Sequence, residues 1–206
     1  MKKSLTRIIP VGFVLIVCMA VIGCRSAKPP IAFYTLTSVE AGHVTEIDQN
    51  AFKNISIGIG PVKFPEVLDR PQIVTRPYLN RIELSEFNRW GGDLRQDFLD
   101  VLTQNISIIT GSDQVFKYTS SVNLKPFYRI TLDVHQFDGR LGESVLLNVS
   151  WVLTINQASP EQQIFKKSVI KQPISGKGYE ALVDAQSEAI KILSREIVDE
   201  IKRAGI

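Results

Sequence analysis

The sequence predicts an α+β domain in two layers, an antiparallel β-sheet with two long helices packed on one face. Two kinds of pattern predict it. Apolar residues alternate with polar or small ones at Ile55, Ile57 and Ile59, at Tyr128, Ile130, Leu132 and Val134, and at Val145, Leu147, Val149, Trp151, Leu153 and Ile155. Period two with β-branched residues is the signature of strands with one buried face. Two other stretches carry helical stripes: Leu94, Phe98, Val101, Leu102 and Ile106, then Leu182, Ala185, Ala189, Ile190, Leu193, Ile197 and Ile201. Each stripe has to be covered, and one face of a sheet can cover both.

The chain begins with Lys2, Lys3 and Arg7 and an apolar run from Ile8 to Ile22. That layout is a secretory signal, and the run is too short, and too broken by Pro10 and Gly12, for a spanning helix of about 20 residues. Val21-Ile22-Gly23-Cys24 has the lipobox pattern of bacterial lipoproteins. Cys24 is therefore expected to become the first mature residue and to carry covalent N-acyl (palmitate) and S-diacylglycerol lipid. Arg25 and Ser26 follow it instead of the Asp that retains lipoproteins at the inner membrane, which points to the outer membrane facing the periplasm. The expected division is a signal peptide over 1–23, a lipidated N-terminus and tether over 24–32, and a single periplasmic domain over 33–206.

Removing Lys2, Lys3 and Arg7 from the 24 basic side chains leaves 21, equal to the 21 acidic ones. A neutral mature domain has no electrostatic footprint for nucleic acid or for anionic membranes. Cys18 leaves with the signal and Cys24 is used by lipid, so no disulfide is expected. Catalytic and metal motifs are equally absent: there is no zinc spacing, phosphate loop or nucleophile elbow. The sequence reads as non-enzymatic, without cofactor or metal.

Taken in order, Phe33–Leu36 is a brief first strand. Thr37–Asn50, with His43, is a loop. In the strand at Ile55–Ile59, Gly58 and Gly60 face the other way and would let a helix or a second backbone approach closely. Gly58-Ile59-Gly60 is not a dinucleotide fingerprint, because the third glycine is missing and Pro61 blocks the helix start. Pro61, Pro65, Pro71 and Pro77 then favour extended geometry. Gln72–Arg76 and Arg81–Ser85 read as a hairpin or meander at a sheet edge.

Asp93 is placed to cap the helix that follows Trp90, and Asp93, Asp97 and Asp100 read as a solvated acidic face. Val115–Tyr118 is a short strand. The two long strands form a hairpin around the expected turn Asp138-Gly139-Arg140, with His135 on the polar face. Ser159-Pro160-Glu161 makes a turn, Gln163–Lys171 returns as a strand, and the last helix starts near Tyr179. The sequons at Asn54, Asn105 and Asn148 have no meaning as glycan sites in a bacterial lipoprotein.

Pro65-Glu66-Val67-Leu68-Asp69-Arg70-Pro71-Gln72-Ile73-Val74-Thr75-Arg76, followed by Glu86-Phe87-Asn88-Arg89-Trp90, resembles the PqiC/YmbA-like ABC-type transport auxiliary lipoprotein family. Tyr34-Thr35-Leu36 and Leu193-Ser194-Arg195-Glu196-Ile197 carry the same resemblance. Gly91-Gly92 departs from it, since relatives more often have an acidic or proline-containing pair there.

The resemblance implies an outer-membrane component of an intermembrane lipid transport system. Its implied partners are a periplasm-spanning MCE-domain (PqiB-like) protein and that protein's inner-membrane partner, with lipid as cargo and a homo-oligomer as a plausible platform. Leu68, Asp69, Arg70, Gln72, Arg76, Arg89 and Trp90 are the expected docking residues, since charged and aromatic groups suit interface anchors. A structural envelope-assembly or peptidoglycan-associated lipoprotein is the alternative, and a hydrolase a further one.

Overall fold

The computed structural model describes residues 29–40, 52–119, 125–157 and 160–205. The signal segment, Cys24 and the loop around His43 lie outside the described residues. Within the unit Ile31–Ile206 the elements are β1 (Ala32–Tyr34), β2 (Ile57–Lys63), a 3-10 turn (Glu66–Leu68), β3 (Gln72–Tyr78), β4 (Arg81–Trp90) and α1 (Leu94–Thr110). β5 (Val115–Lys117), β6 (Tyr128–Arg140), β7 (Ser144–Ile155), β8 (Gln162–Pro173) and α2 (Gly178–Arg203) complete it.

The α+β class holds, but the sheet is mixed and not antiparallel throughout. β6, β7 and β8 form the expected antiparallel meander. The other edge of β6 serves two strands in succession, both parallel to it: β2 pairs along Ile57–Lys63, and β3 meets it further on at Thr75 opposite Gly139. β5 pairs with β2, and β4 and β1 continue outward from β3. Alternation in a strand is the same whichever direction its neighbour runs, so sequence pattern leaves the sense of pairing open. The β3–β4 hairpin forms as predicted, yet β1 lies outside it in parallel with β4 and takes the edge position.

Between Ile59 and Val62 the register with β6 shifts. This bulge accommodates Pro61, which has no N–H to give to a ladder. Gly60 has a positive φ of 122°, and a Cβ there would sit 2.7 Å from the carbonyl oxygen of Tyr118. The close approach of a second backbone, expected from the small face of β2, is made by the chain leaving β5. The turn between β6 and β7 comes later than the sequence suggested. Asp138 and Gly139 stay in β6, because a Cβ at 139 would meet the backbone of Ser144 at 2.7 Å and so only glycine fits under the hairpin.

Both helices cover the same face. Leu94, Phe98, Leu102 and Ile106 of α1 and Leu182, Ile190, Leu193 and Ile197 of α2 are buried against the inward residues of β2, β6 and β7. Phe64, Phe98 and Phe137 form an edge-to-face triad, with ring centroids 5.2 to 6.3 Å apart, joining the end of β2 to α1 and β6. Asp93 caps α1 by accepting from the backbone N–H groups of Arg95 and Gln96 at 2.8 and 3.2 Å. Gly111, at φ 63°, closes the helix in the left-handed region. The buried Trp151 indole N–H donates to Ser168 (3.0 Å), whose hydroxyl donates to Glu196 of α2. Polar groups therefore bridge β7, β8 and α2 without an unpaired donor.

Two outcomes test this account. Phe98→Ala removes one ring of the triad from a site with no exposure, and should lower unfolding free energy in urea by about 3–5 kcal/mol. Glu200 of α2, largely buried, receives Lys166 of β8 at 3.0 Å and Arg203 at 3.1 Å. The hydrogen bond from Lys166, opposed by burial and aided by Arg203, holds its carboxyl below the ordinary value. A depressed folded value contributes stability above the unfolded pKa of about 4.3 and loses it as pH falls through the folded one. Glu200→Gln should thus be less stable than the parent at pH 7, and the gap should close at pH 3 in parallel denaturation curves.

Candidate functional site

The proline-rich segment from Pro61 to Pro77 is a strap that leaves the β6 edge at Lys63 and returns to it at Thr75. Pro65 fixes an extended entrance, and its carbonyl accepts from the Leu68 N–H at 2.9 Å to close the 3-10 turn. Leu68 drops into the core, 3 % exposed. Asp69 turns outward to pair with Arg95 of α1 at 2.8 Å, both side chains well exposed. Pro71 gives its carbonyl to the Trp90 backbone N–H at 2.8 Å, and Gln72 lies opposite Arg89. Trp90 itself is buried at 5 % exposure.

Arg76 is the strap's strongest side-chain tie. Its Nε and Nη2 donate to Asp138 Oδ2 at 3.0 and 2.8 Å, and the carboxylate is 2 % exposed. Gln136 donates to the other carboxylate oxygen at 2.7 Å. A charged pair of this kind is charge-assisted and directional. By contrast, Arg70 and Arg89 are half-buried, and their Nε atoms have no hydrogen-bond partner among the described residues.

The structure therefore brings all seven expected residues into one continuous region, on the strap and the strand beside it, but divides their orientations. Leu68 and Trp90 face the core. Arg76 spends its donors on Asp138 and on the Leu79 carbonyl, the latter at 3.4 Å. Gln72 and Arg89 are half-buried across one register, and Asp69 alone is broadly exposed.

Sequence reasoning passed over Asp138 because the pair Asp138-Gly139 looks like a turn. The usable signal was on the other side, an arginine at an inward-leaning strand position that requires an acid. The acidic face of α1 is exposed at Asp93 and Asp100, and its carboxylates also make structural ties. Asp97 accepts from the Leu36 N–H at 2.8 Å and from the Thr35 hydroxyl, Asn105 accepts from the Val39 N–H at 2.8 Å, and Asp100 pairs with Lys117. α1 thus holds the chain that leaves β1. His135 sits on the open face, bonded to Ser150 at 2.8 Å. Among the described residues no three His, Cys, Asp or Glu side chains are grouped to hold a metal, and no helix is long and apolar enough to cross a membrane.

A mixed sheet covered on one side, with a strap tied to β6, has known counterparts. The chain belongs to the ABC-type transport auxiliary lipoprotein component family, whose model matches residues 34–198, from β1 into α2. The crystal structure of an uncharacterised protein superimposes with a TM-score of 0.66 at 19 % identity, over 84 % of this chain and 99 % of that one. A Xanthomonas campestris protein of domain family DUF330 gives 0.62 at 15 % identity, over 81 % and 92 %. At such identities the likeness shows a shared fold. No curated protein matches the chain. Membership makes this a transport-associated lipoprotein of the cell envelope, in a family that is not one of known enzymes.

The division of orientations has a direct test. Trp90→Ala should cost about 3–5 kcal/mol of unfolding free energy, whereas Asp69→Ala, removing an exposed ion pair, should cost less than about 1 kcal/mol. Denaturant midpoints of the two variants separate the framing residue from the surface one.

Proposed function

We propose that this chain is a non-enzymatic outer-membrane lipoprotein of an intermembrane lipid transport system. It is anchored through lipid on Cys24 and docks the distal end of a periplasm-spanning MCE-domain protein, whose inner-membrane partner completes the system. The observation that carries the proposal is the family match over residues 34–198, and the resemblance of the Pro65–Arg76 segment to PqiC-like members supplies the partner class. The lipobox at Cys24 and the Arg25 that follows it support the anchor and the outer membrane.

The strap supports docking physically. A recognition surface works best when its backbone is held before the partner arrives, because ordering it on contact costs affinity. Here Leu68, Trp90 and Arg76 fix the strap from beneath, Asp69 is exposed on it, and Arg70, Gln72 and the neighbouring Arg89 of β4 are half-buried beside it. The buried residues frame the segment, and Asp69 with the accessible parts of the half-buried side chains forms the proposed contact surface.

The test is crosslinking in cells followed by capture of the acylated chain and mass spectrometry of proteins and lipids. Recovery of an MCE-domain protein is expected. The double variant Asp69→Ala/Arg70→Ala should reduce that recovery about tenfold, as loss of an interface anchor does, with an unchanged melting temperature. Recovery of cell-wall or assembly proteins alone would overturn the docking proposal in favour of a structural envelope role.

A further inference from the structure

The turn between β3 and β4 carries an apolar tip that the core does not use. Tyr78 is 58 % exposed and Leu79 96 %, with Ile82 and Leu84 exposed on β4 and Leu141 beside them at the β6–β7 turn. Arg81 and Arg140 lie 4.9 and 5.8 Å from the centroid of the Tyr78 ring, so two cations contact the ring. Those cations are themselves matched, Arg81 by Glu83 and Arg140 by Glu143 at 3.1 Å. The tip is therefore apolar and aromatic with little net charge.

Strand direction indicates what covers it. β1 runs parallel to β4, with Ala32 opposite Asn88, and β4 begins at Arg81 beside the tip. The backbone accordingly reaches Ala32 while travelling away from the tip, and Ile31 and Phe33 are exposed where it arrives. From Asn88 back to Arg81 is about 23 Å of strand. Cys24 precedes Ala32 by eight positions, which allow at most about 28 Å of extended chain. A lipid on Cys24 can thus enter the same bilayer surface that the tip would touch.

We infer that the Tyr78–Leu84 tip is a second membrane contact, resting in the headgroup boundary of the bilayer that holds the lipid on Cys24. The occupant is a phospholipid surface; the inference rests on the lipoprotein reading proposed above. Tyrosine and leucine suit that boundary, where one end of a side chain is apolar and the other wet. Because the arginines are already paired, the contact draws on apolar burial and needs no anionic lipid. Its consequence is orientation: two attachment points fix the domain's tilt, which a flexible tether alone would leave free.

The test uses the acylated mature chain in phospholipid vesicles. Leu79→Cys introduces the one thiol not consumed by lipid, for labelling with an environment-sensitive fluorophore; Gln163→Cys, at the opposite end of the sheet, is the control. The label at 79 should shift to the blue, gain about threefold in intensity and be quenched by brominated lipid, as expected about 5–10 Å into the interface. The label at 163 should do none of these, and phosphatidylcholine alone should serve as well as mixtures with phosphatidylglycerol.

Vesicle flotation separates the possible failures. If the chain floats and position 79 remains aqueous, the tip contact is wrong and the lipid anchor stands. If the chain neither carries acyl chains nor floats, both readings fall. A blue shift that rises with protein concentration in the absence of vesicles would assign the tip to a second copy and overturn the inference. A shift that requires phosphatidylglycerol would also overturn it, since it would place charge ahead of apolar burial.

Discussion

The bidentate contact of Arg76 with Asp138 is the constraint on which the outer third of this sheet depends. β3 meets β6 in register at a single residue pair, Thr75 with Gly139. Among the described residues, β4 and β1 pair with the central strands through β3. A ladder that short supplies little pairing energy, so side chains must hold the outer strands in place. The guanidinium does so from one side and Gln136 completes the carboxylate's bonds from the other. Removing Arg76 leaves the Asp138 carboxylate, 2 % exposed, without its charged partner, which typically costs several kcal/mol.

The same arrangement links fold to function. α1 receives the chain after β1 through Asp97 and Asn105, and receives the strap through the Arg95 pair with Asp69. Phe64, Phe98 and Phe137 pack beneath this junction. A segment rich in proline would otherwise be loose between two strands, yet here it is held at both ends and from below. That rigidity suits the docking role proposed above, and it defines the position of the β3–β4 hairpin tip within the domain.

Much of this was legible in the residues. The helical stripes at Leu94–Ile106 and Leu182–Ile201 were read correctly because burial against one face leaves an unmistakable period. The β6–β7 hairpin was equally plain from its alternation. The parallel pairing of β2 and β3 on one edge of β6 was not, since it joins segments far apart in the chain and alternation carries no direction. Asp138 was hidden by its neighbour Gly139, which marks a close backbone approach and not a turn. Asp97, on the solvated acidic face by its spacing, is half-buried and accepts from the backbone N–H of Leu36, a partner that sequence does not distinguish. In the strap, the motif Pro65–Arg76 forms one continuous segment, but which of its side chains point inward is decided by the core beneath it.

The most direct measurement is hydrogen–deuterium exchange on the full chain and on Arg76→Ala, read strand by strand. Local opening should follow the weakest connection. Amides of β3, β4 and β1 should lose protection together in the variant while β6, β7 and β8 keep theirs. Unchanged protection in β3 and β4, or an equal loss across the whole sheet, would contradict this.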